Sequence, residues 1–324
     1  MFTRDCCFVR ACDNKARDLL MIDIILASYN GSRYIGQQID SILAQTCSEW
    51  RLLIRDDGSS DDTVRICQDY AFRHPERIRL LTDSRGRLHV TGNFSELLSQ
   101  SQGDYVMFCD QDDVWLPRKI EKTLAAMRDL ETEHGASAPA LAHTDSQIVD
   151  ENLQWIAPSL MRYCHRKPNP TLNRLCMELP ITGHTVMINR PLKELGGGIP
   201  EAFGSWDWWF PLVAVVFGHI RFVDEPLVLW RRHARTVTAT RSHTLSSYLS
   251  RSLAQYHKTV FISCQQCEIF YERFGPRLSP KHQAFFASVS RIRRSNWAMR
   301  RFLIIRHRLF KTGFLKTLGV LIAV

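Results

Sequence analysis

A chain of 324 residues, 45% of them hydrophobic, has enough apolar material for one substantial core and a helical appendage, and this predicts one main domain. Its 42 Lys and Arg against 33 Asp and Glu leave a formal charge of +9, which suits nucleic acid, phospholipid surfaces and diphosphate substrates alike and does not choose among them. Ten scattered cysteines, and Asp and Arg where a secretory apolar core would stand, exclude a disulfide framework and predict reduced thiols in a cytoplasmic protein, while the nearest approach to a membrane span, 314–324, is interrupted by Lys316.

Residues 1–20 are polar, cysteine-bearing and aperiodic, and read as a disordered extension or a product of start-site choice. The nearly all-apolar run 22–27 is a strand buried on both faces, followed by the turn Ser28-Tyr29-Asn30-Gly31 and a helix over about 32–45. A second strand at 50–55 leads into a loop at 56–60 and a helix at 62–74 with an acidic, hydroxyl-rich entry. A short strand follows at 77–81. The next strand, 105–109, runs straight into Asp110-Gln111-Asp112-Asp113, and Trp115-Leu116-Pro117 opens a helix over 118–130. Further strands are expected at 140–144 and 185–188 and a helix at 206–217; from about Thr244 the pattern is helical and basic, without repeats. The alternation of strand, loop and helix implies right-handed crossovers and a parallel sheet, whose ligands bind at the C-terminal strand ends where these loops gather.

Asp110, Asp112 and Asp113 crowd three carboxylates into four positions, a costly arrangement that a divalent cation relieves. Hard oxygen ligands in a D-x-D arrangement suit Mg²⁺ or Mn²⁺ with open positions for diphosphate oxygens; the plainer reading is a solvated acidic turn or a helix N-cap. Asp56-Asp57-Gly58-Ser59-Ser60 ends the second strand beside the first loop, so a carboxylate there can accept the imide N–H of a pyrimidine while Tyr29 offers a flat face to the base. Asp207 stands among Trp206, Trp208 and Trp209, where its charged form is disfavoured and the indoles can either stack on a sugar ring or fill a core. Cys264 and Cys267 form a lone C-x-x-C without a second ligand pair, and read as two thiols on a helix.

Together these segments resemble glycosyltransferase family 2. The resemblance covers about 22–240 and rests on Ala27-Ser28-Tyr29-Asn30-Gly31, Arg55-Asp56-Asp57-Gly58-Ser59, Asp110-Gln111-Asp112-Asp113-Val114-Trp115 and Trp206-Asp207-Trp208-Trp209, in the family's order. It implies the GT-A nucleotide-diphospho-sugar transferase fold, an α/β doubly wound and mostly parallel sheet. The domain is expected over 21–243, with a basic helical extension over 244–324. The segments 108–117, Thr182-Gly183-His184-Thr185 and 224–233 are similar to a rhamnosyltransferase-like branch, which implies dTDP-rhamnose as donor. Carried over residue by residue, the resemblance puts Ser28, Tyr29, Asn30, Asp56 and Asp57 around the nucleotide, and Asp110 at the ribose. Asp112 and His233 would stand at the metal, Asp207 as general base, and Trp206, Trp208 and His184 at the acceptor. Relatives in this branch commonly read His-Asp-Trp-Trp, and here Trp206 precedes Asp207; where they carry Gln near the late histidine, this chain has Arg231-Arg232. These two arginines, with the metal, are expected to neutralise the leaving diphosphate during direct displacement at the anomeric carbon.

The segment 291–316 interleaves cations with Trp297, Phe302, Leu303, Ile305, Leu309, Phe310 and Phe314, predicting either a helix packed on the catalytic domain or one lying at an anionic membrane surface. A peripheral position on the inner face of the cytoplasmic membrane would bring it to glycan or polyprenyl-linked acceptors. Two rival readings fit less of the chain. A nucleotidyltransferase opens with a Gly-rich basic phosphate loop, which 28–35 is not, and a nucleic-acid binder leaves the carboxylates unexplained, so no nucleic-acid partner is expected. A catalytically dead glycan-binding relative differs from an active enzyme only in donor turnover.

Overall fold

The computed structural model describes residues 21–204, 206–233 and 253–324. The expected extension at 1–20 and the expected boundary at 243/244 lie outside them. In chain order the first half consists of β1 (Ile22–Ser28), α1 (Ile35–Leu43), β2 (Trp50–Asp56), α2 (Thr63–Arg73), β3 (Ile78–Leu81), α3 (His89–Gln100), β4 (Tyr105–Asp110), β5 (Val114–Trp115) and α4 (Lys119–His134). Then come β6 (Ala140–Val149), β7 (Trp155–Ala157), the short α5 (Leu160–Tyr163) and α6 (Leu172–Leu175), β8 (Val186–Asn189), α7 (Arg190–Gly196), α8 (Trp209–Phe217) and β9 (His219–Arg231). Among the described residues four helices close the chain: α9 (Leu253–Phe274), α10 (Pro280–Arg291), α11 (Trp297–Arg306) and α12 (Phe314–Ala323).

The strands join in the order β3-β2-β1-β4-β8-β6-β9-β5, with β7 on β6. β3, β2, β1 and β4 run parallel, β8 lies antiparallel to both β4 and β6, and β6 and β9 are parallel to each other. Side chains alternate through the sheet: Ile22, Ile24 and Leu26 of β1 pack with α1, α2 and α4 on one face, and Ile25 packs with α3 and α8 on the other. Val260, Cys264, Cys267, Phe270 and Phe274 of α9 enter that second core, so the closing helices cover a sheet face. Cys264 and Cys267 are thus buried thiols on one helix, both pushed up by their surroundings: Cys264 chiefly by burial, Cys267 by a hydrogen bond with Cys176 and by burial.

Because β1 lies between β2 and β4, the chain leaves β1 toward one side of the sheet and reaches β4 from the other. The loops after these strands part there and open a crevice at the C-terminal sheet edge.

Candidate active site

A cleft of about 1100 Å³ occupies this crevice, walled by the loops after β1, β2 and β4, the start of α3, and the turns carrying His184 and Asp207. Its walls are fixed by loop-to-loop hydrogen bonds. Gln111 accepts from the backbone N–H of Tyr29 at 2.9 Å and donates to the Tyr29 carbonyl at 3.0 Å, and Asn30, at φ 47°, accepts the N–H of Ser60 at 2.8 Å through Oδ1.

Tyr29 and Asp57 line the cleft on either side of Arg87. Asp57 is buried; its Oδ1 accepts from Arg55 Nη1 at 3.2 Å and from the N–H of Leu88 at 2.6 Å, while its Oδ2 has Arg87 Nε at 3.9 Å. The guanidinium of Arg87 also lies 4.2 Å from the Tyr29 ring centroid, which joins aromatic face and carboxylate in one subsite. Asp56 departs from the donor-binding role expected of it. Its carboxylate accepts from Ser28 Oγ at 3.0 Å, from the N–H groups of Gly58 and Ser59 at 3.0 and 2.7 Å, and from Ser59 Oγ at 2.6 Å, so it shapes its own loop and is not on the cleft wall. Ser28, buried, and Asn30 line the cleft but use their side chains in the same loop bonding.

The loop after β4 brings the carboxylates to the cleft. Asp110 and Asp112 face the cleft, and Asp113 is buried behind them. Burial and then Asp110 push the Asp112 carboxyl above its ordinary value, against the opposing effect of His233, whose Nε2 lies 2.8 Å from Asp112 Oδ2. Burial, Asp112 and Asp110 push Asp113 well above the usual range. Asp113 Oδ1 accepts the N–H of Arg231 at 3.1 Å, whereas its buried Oδ2 has no hydrogen-bond partner among the described residues. His184, expected at the acceptor, lines the cleft beside these acids: Nδ1 stands 3.6 Å from both Asp110 Oδ2 and Asp113 Oδ2, and Nε2 is 2.9 Å from Ser146 Oγ. Ligand atoms of Asp110, Asp113 and His184 fall within 4.8 Å of one another. An orphaned carboxylate oxygen among crowded acids of raised pKa is what a divalent cation relieves, so the donor set fits Mg²⁺ or Mn²⁺.

The two arginines also depart from expectation. Arg231 is buried with its guanidinium under the acidic loop, where it donates to the carbonyls of Asp112 at 2.8 Å and Glu151 at 2.7 Å and to Gln37 Oε1, and stacks 4.5 Å from the Tyr34 ring. It holds the loop rather than facing a diphosphate. Arg232 donates its backbone N–H to Val149 and is not on the cleft wall. The arginines that do line the cleft are Arg33, Arg87 and Arg166, residues that no pattern in the sequence marked.

The tryptophan turn forms another part of the wall. Trp206 and Asp207 line the cleft. Trp206 stacks on Phe94 with centroids 4.0 Å apart and lies over Gly183, where a Cβ would stand 2.0 Å from the indole, so only glycine fits beneath it. Trp208 departs from its expected acceptor role: its Nε1 donates to the Leu175 carbonyl and its ring packs on the core, as does the fully buried Trp209.

The sheet has the GT-A arrangement, and its switch-point crevice joins Tyr29 and Asp57 to the carboxylate cluster. Residues 23–169 match the family described as Glycosyl transferase family 2. It is 35% identical over 104 residues to EpsE of Bacillus subtilis, covering 32% of this chain and 37% of that one. It is 34% identical over 178 residues to the UDP-Glc:alpha-D-GlcNAc-diphosphoundecaprenol beta-1,3-glucosyltransferase WfgD of Escherichia coli, covering 54% of this chain and 62% of that one. The chain thus spans less than two thirds of either relative. The structure of S. aureus TarS 1–349 in complex with UDP-GlcNAc superposes with a TM-score of 0.56 at 15% identity, over 94% of this chain and 90% of that one, which is a likeness of fold.

Proposed function

We propose that the protein is an inverting glycosyltransferase that moves a sugar from a nucleotide-diphosphate donor to a hydroxyl of a glycan or polyprenyl-linked acceptor, in surface polysaccharide synthesis. The observation that carries this reading is that Tyr29, Asp57, Asp110, Asp112, His233, Trp206 and Asp207 line one continuous cleft. In this reading the base stacks on Tyr29 with its imide N–H toward Asp57, and the diphosphate lies along Asp110 and Asp112. Mg²⁺ or Mn²⁺, held by Asp112 and His233 with Asp110 alongside and the ligand atoms of Asp113 and His184 close to Asp110, would supply charge neutralisation for the leaving diphosphate. Asp207 takes the proton of the acceptor hydroxyl as that oxygen attacks the anomeric carbon, and Trp206 gives the acceptor sugar a rigid flat wall. One base and no carboxylate nucleophile suffice, so the anomeric configuration inverts.

The branch-like motifs favour dTDP-rhamnose as donor, whereas the relatives named for UDP-sugars favour uridine donors. The acceptor class puts the enzyme at the inner face of the cytoplasmic membrane as a peripheral protein. Thermal unfolding with dTDP-rhamnose, UDP-glucose and UDP-GlcNAc, each with and without Mn²⁺, tests the donor, since a bound ligand raises the melting temperature by mass action. No shift with any nucleotide sugar would overturn the transferase reading.

A further inference from the structure

After Glu272 the chain contains no Asp or Glu, yet 12 Lys and Arg fall in 273–324, more than the entire formal charge of +9. Charge of one sign concentrated at the end of the chain calls for an anionic partner. The apolar residues of α11 say which kind. Leu303 and Ile304 are buried against the core, and the opposite face carries Ala298, Phe302 and Ile305 at i, i+4 and i+7, with Phe302 53% and Ile305 55% exposed. Arg301 and Arg306 flank that outward stripe.

A helix apolar on two opposite faces is not explained by packing on one side. Trp297, 65% exposed at the start of α11, has the Arg301 guanidinium 4.0 Å from its ring. Arg301 in turn donates to the carbonyls of Val324 at 2.8 Å and Ile322 at 3.2 Å. That arginine joins α11 to the end of α12, a helix on which Leu318 and Ile322 are also exposed. Glu268 of α9 is bonded to Arg293 and Arg294, away from this stripe. No helix among the described residues is long and apolar enough to cross a membrane.

We infer that the outward faces of α11 and α12 form a docking surface for an anionic phospholipid bilayer, with Trp297, Phe302, Ile305 and Ile322 entering the headgroup boundary and Arg301 and Arg306 meeting lipid phosphates. Polyanions in general satisfy the arginines, but only a bilayer also takes up an aromatic and aliphatic fringe. The inference rests on the transfer reading only for why the enzyme visits a membrane.

The test is sedimentation of the full chain with vesicles of phosphatidylcholine alone or mixed with phosphatidylglycerol. The intact protein is expected to bind the mixed vesicles, to bind phosphatidylcholine weakly, and to be partly released by high salt. Phe302→Glu with Ile305→Glu should lower partitioning by roughly tenfold or more without changing the melting temperature, because both side chains are exposed. Arg301→Gln with Arg306→Gln should remove most of the salt-sensitive part. Equal partitioning of parent and Phe302→Glu/Ile305→Glu overturns the inference, as does binding to RNA that this double variant leaves intact, or a change in oligomeric state in place of vesicle binding. Nucleotide-sugar binding by the same variants, measured without vesicles, stays at the parental level, so failure of the docking surface and failure of the transferase reading are separate results.

Discussion

Nε2 of His233 lies 2.8 Å from Oδ2 of Asp112, so the chain just past β9 is tied side chain to side chain to the loop after β4. The two are 121 positions apart and meet only because β5 pairs with β9 and draws the acidic loop against that strand's end. A cation bridging diphosphate and protein would take both as ligands. Asp112→Ala and removal of divalent metal with EDTA are each expected to weaken nucleotide-diphosphate binding at least about tenfold. Isothermal calorimetry checks this, and equal affinity in the parent, the variant and the chelated protein would sink the metal assignment.

The buried acids make a second, pH-dependent prediction. Asp112 and Asp113 are raised in the folded state by burial first, so each binds its proton more tightly folded than unfolded. Their contribution to stability is therefore full below the ordinary carboxylate range and is lost as pH rises through the folded-state values. A cation held at these carboxylates would compete with their protons, so the stabilising effect of Mn²⁺ is expected to grow from mildly acidic to neutral pH. Asp113→Asn keeps the acceptor for the Arg231 N–H and removes the buried charge, and is expected to stabilise the metal-free protein at neutral pH by on the order of 1 kcal/mol or more. Melting temperatures across pH, with and without Mn²⁺, decide it; a metal effect independent of pH would contradict it.

Arg231 and Arg166 should separate stability from ligand binding. Arg231 is buried among carbonyl and amide acceptors, and Arg231→Ala leaves these unsatisfied, at a cost on the order of 3 kcal/mol in denaturant unfolding. Arg166, part-exposed on the cleft wall, makes a 3.4 Å bond to the Pro180 carbonyl, so Arg166→Ala should change stability by no more than about 0.5 kcal/mol while weakening binding of anionic ligands. A stable Arg231→Ala protein defective only in nucleotide-sugar binding would restore the role first expected of that residue.

These two arginines mark the limit of what the sequence discloses. β1, β2 and β4 were legible because strands buried on both faces are apolar runs, and the acidic loop was legible because three carboxylates at a strand end need an explanation. β9 carries no such signal: its 13 residues include Pro226 and several charges, and its pairing with β6 shifts register around Asp145, so no period of two survives. α3 carries none either, because Thr91, Gly92 and Asn93 lower its helical propensity while Phe94, Leu97 and Leu98 pay for it by packing in the core. Arg231 lies at the end of that unread strand, and nothing local distinguishes a buried arginine from a solvated one. In the tryptophan motif the sequence offered stacking or core, and the structure divides it, Trp206 on the cleft and Trp208 and Trp209 inward.

That division gives the sharpest prediction, which concerns Asp207. Asp207 sits in a short 3-10 turn, Trp206–Trp208, held on one side by the stacking of Trp206 on Phe94 and on the other by the Trp208 Nε1 bond to the Leu175 carbonyl. The turn is thus positioned by its neighbours, and Asp207→Asn, nearly identical in shape, should leave fold and melting temperature in place. A base is needed only when the acceptor hydroxyl is deprotonated, so the variant should keep nucleotide-sugar affinity and lose transfer by the factor of about 10² to 10⁴ that general bases contribute. Asp112→Ala should instead lose binding and turnover together, because in the proposed site the cation that meets the diphosphate would lose that ligand. Phe94→Leu adds a control, since it keeps apolar volume in the core but removes the aromatic stacking partner, and should loosen Trp206 and lower transfer without touching the carboxylates. The measurements are donor affinity by calorimetry and single-turnover transfer to an acceptor glycan. If Asp207→Asn transfers sugar at the parental rate, the proton is taken elsewhere, and the turn between Trp206 and Trp208 only walls the cleft.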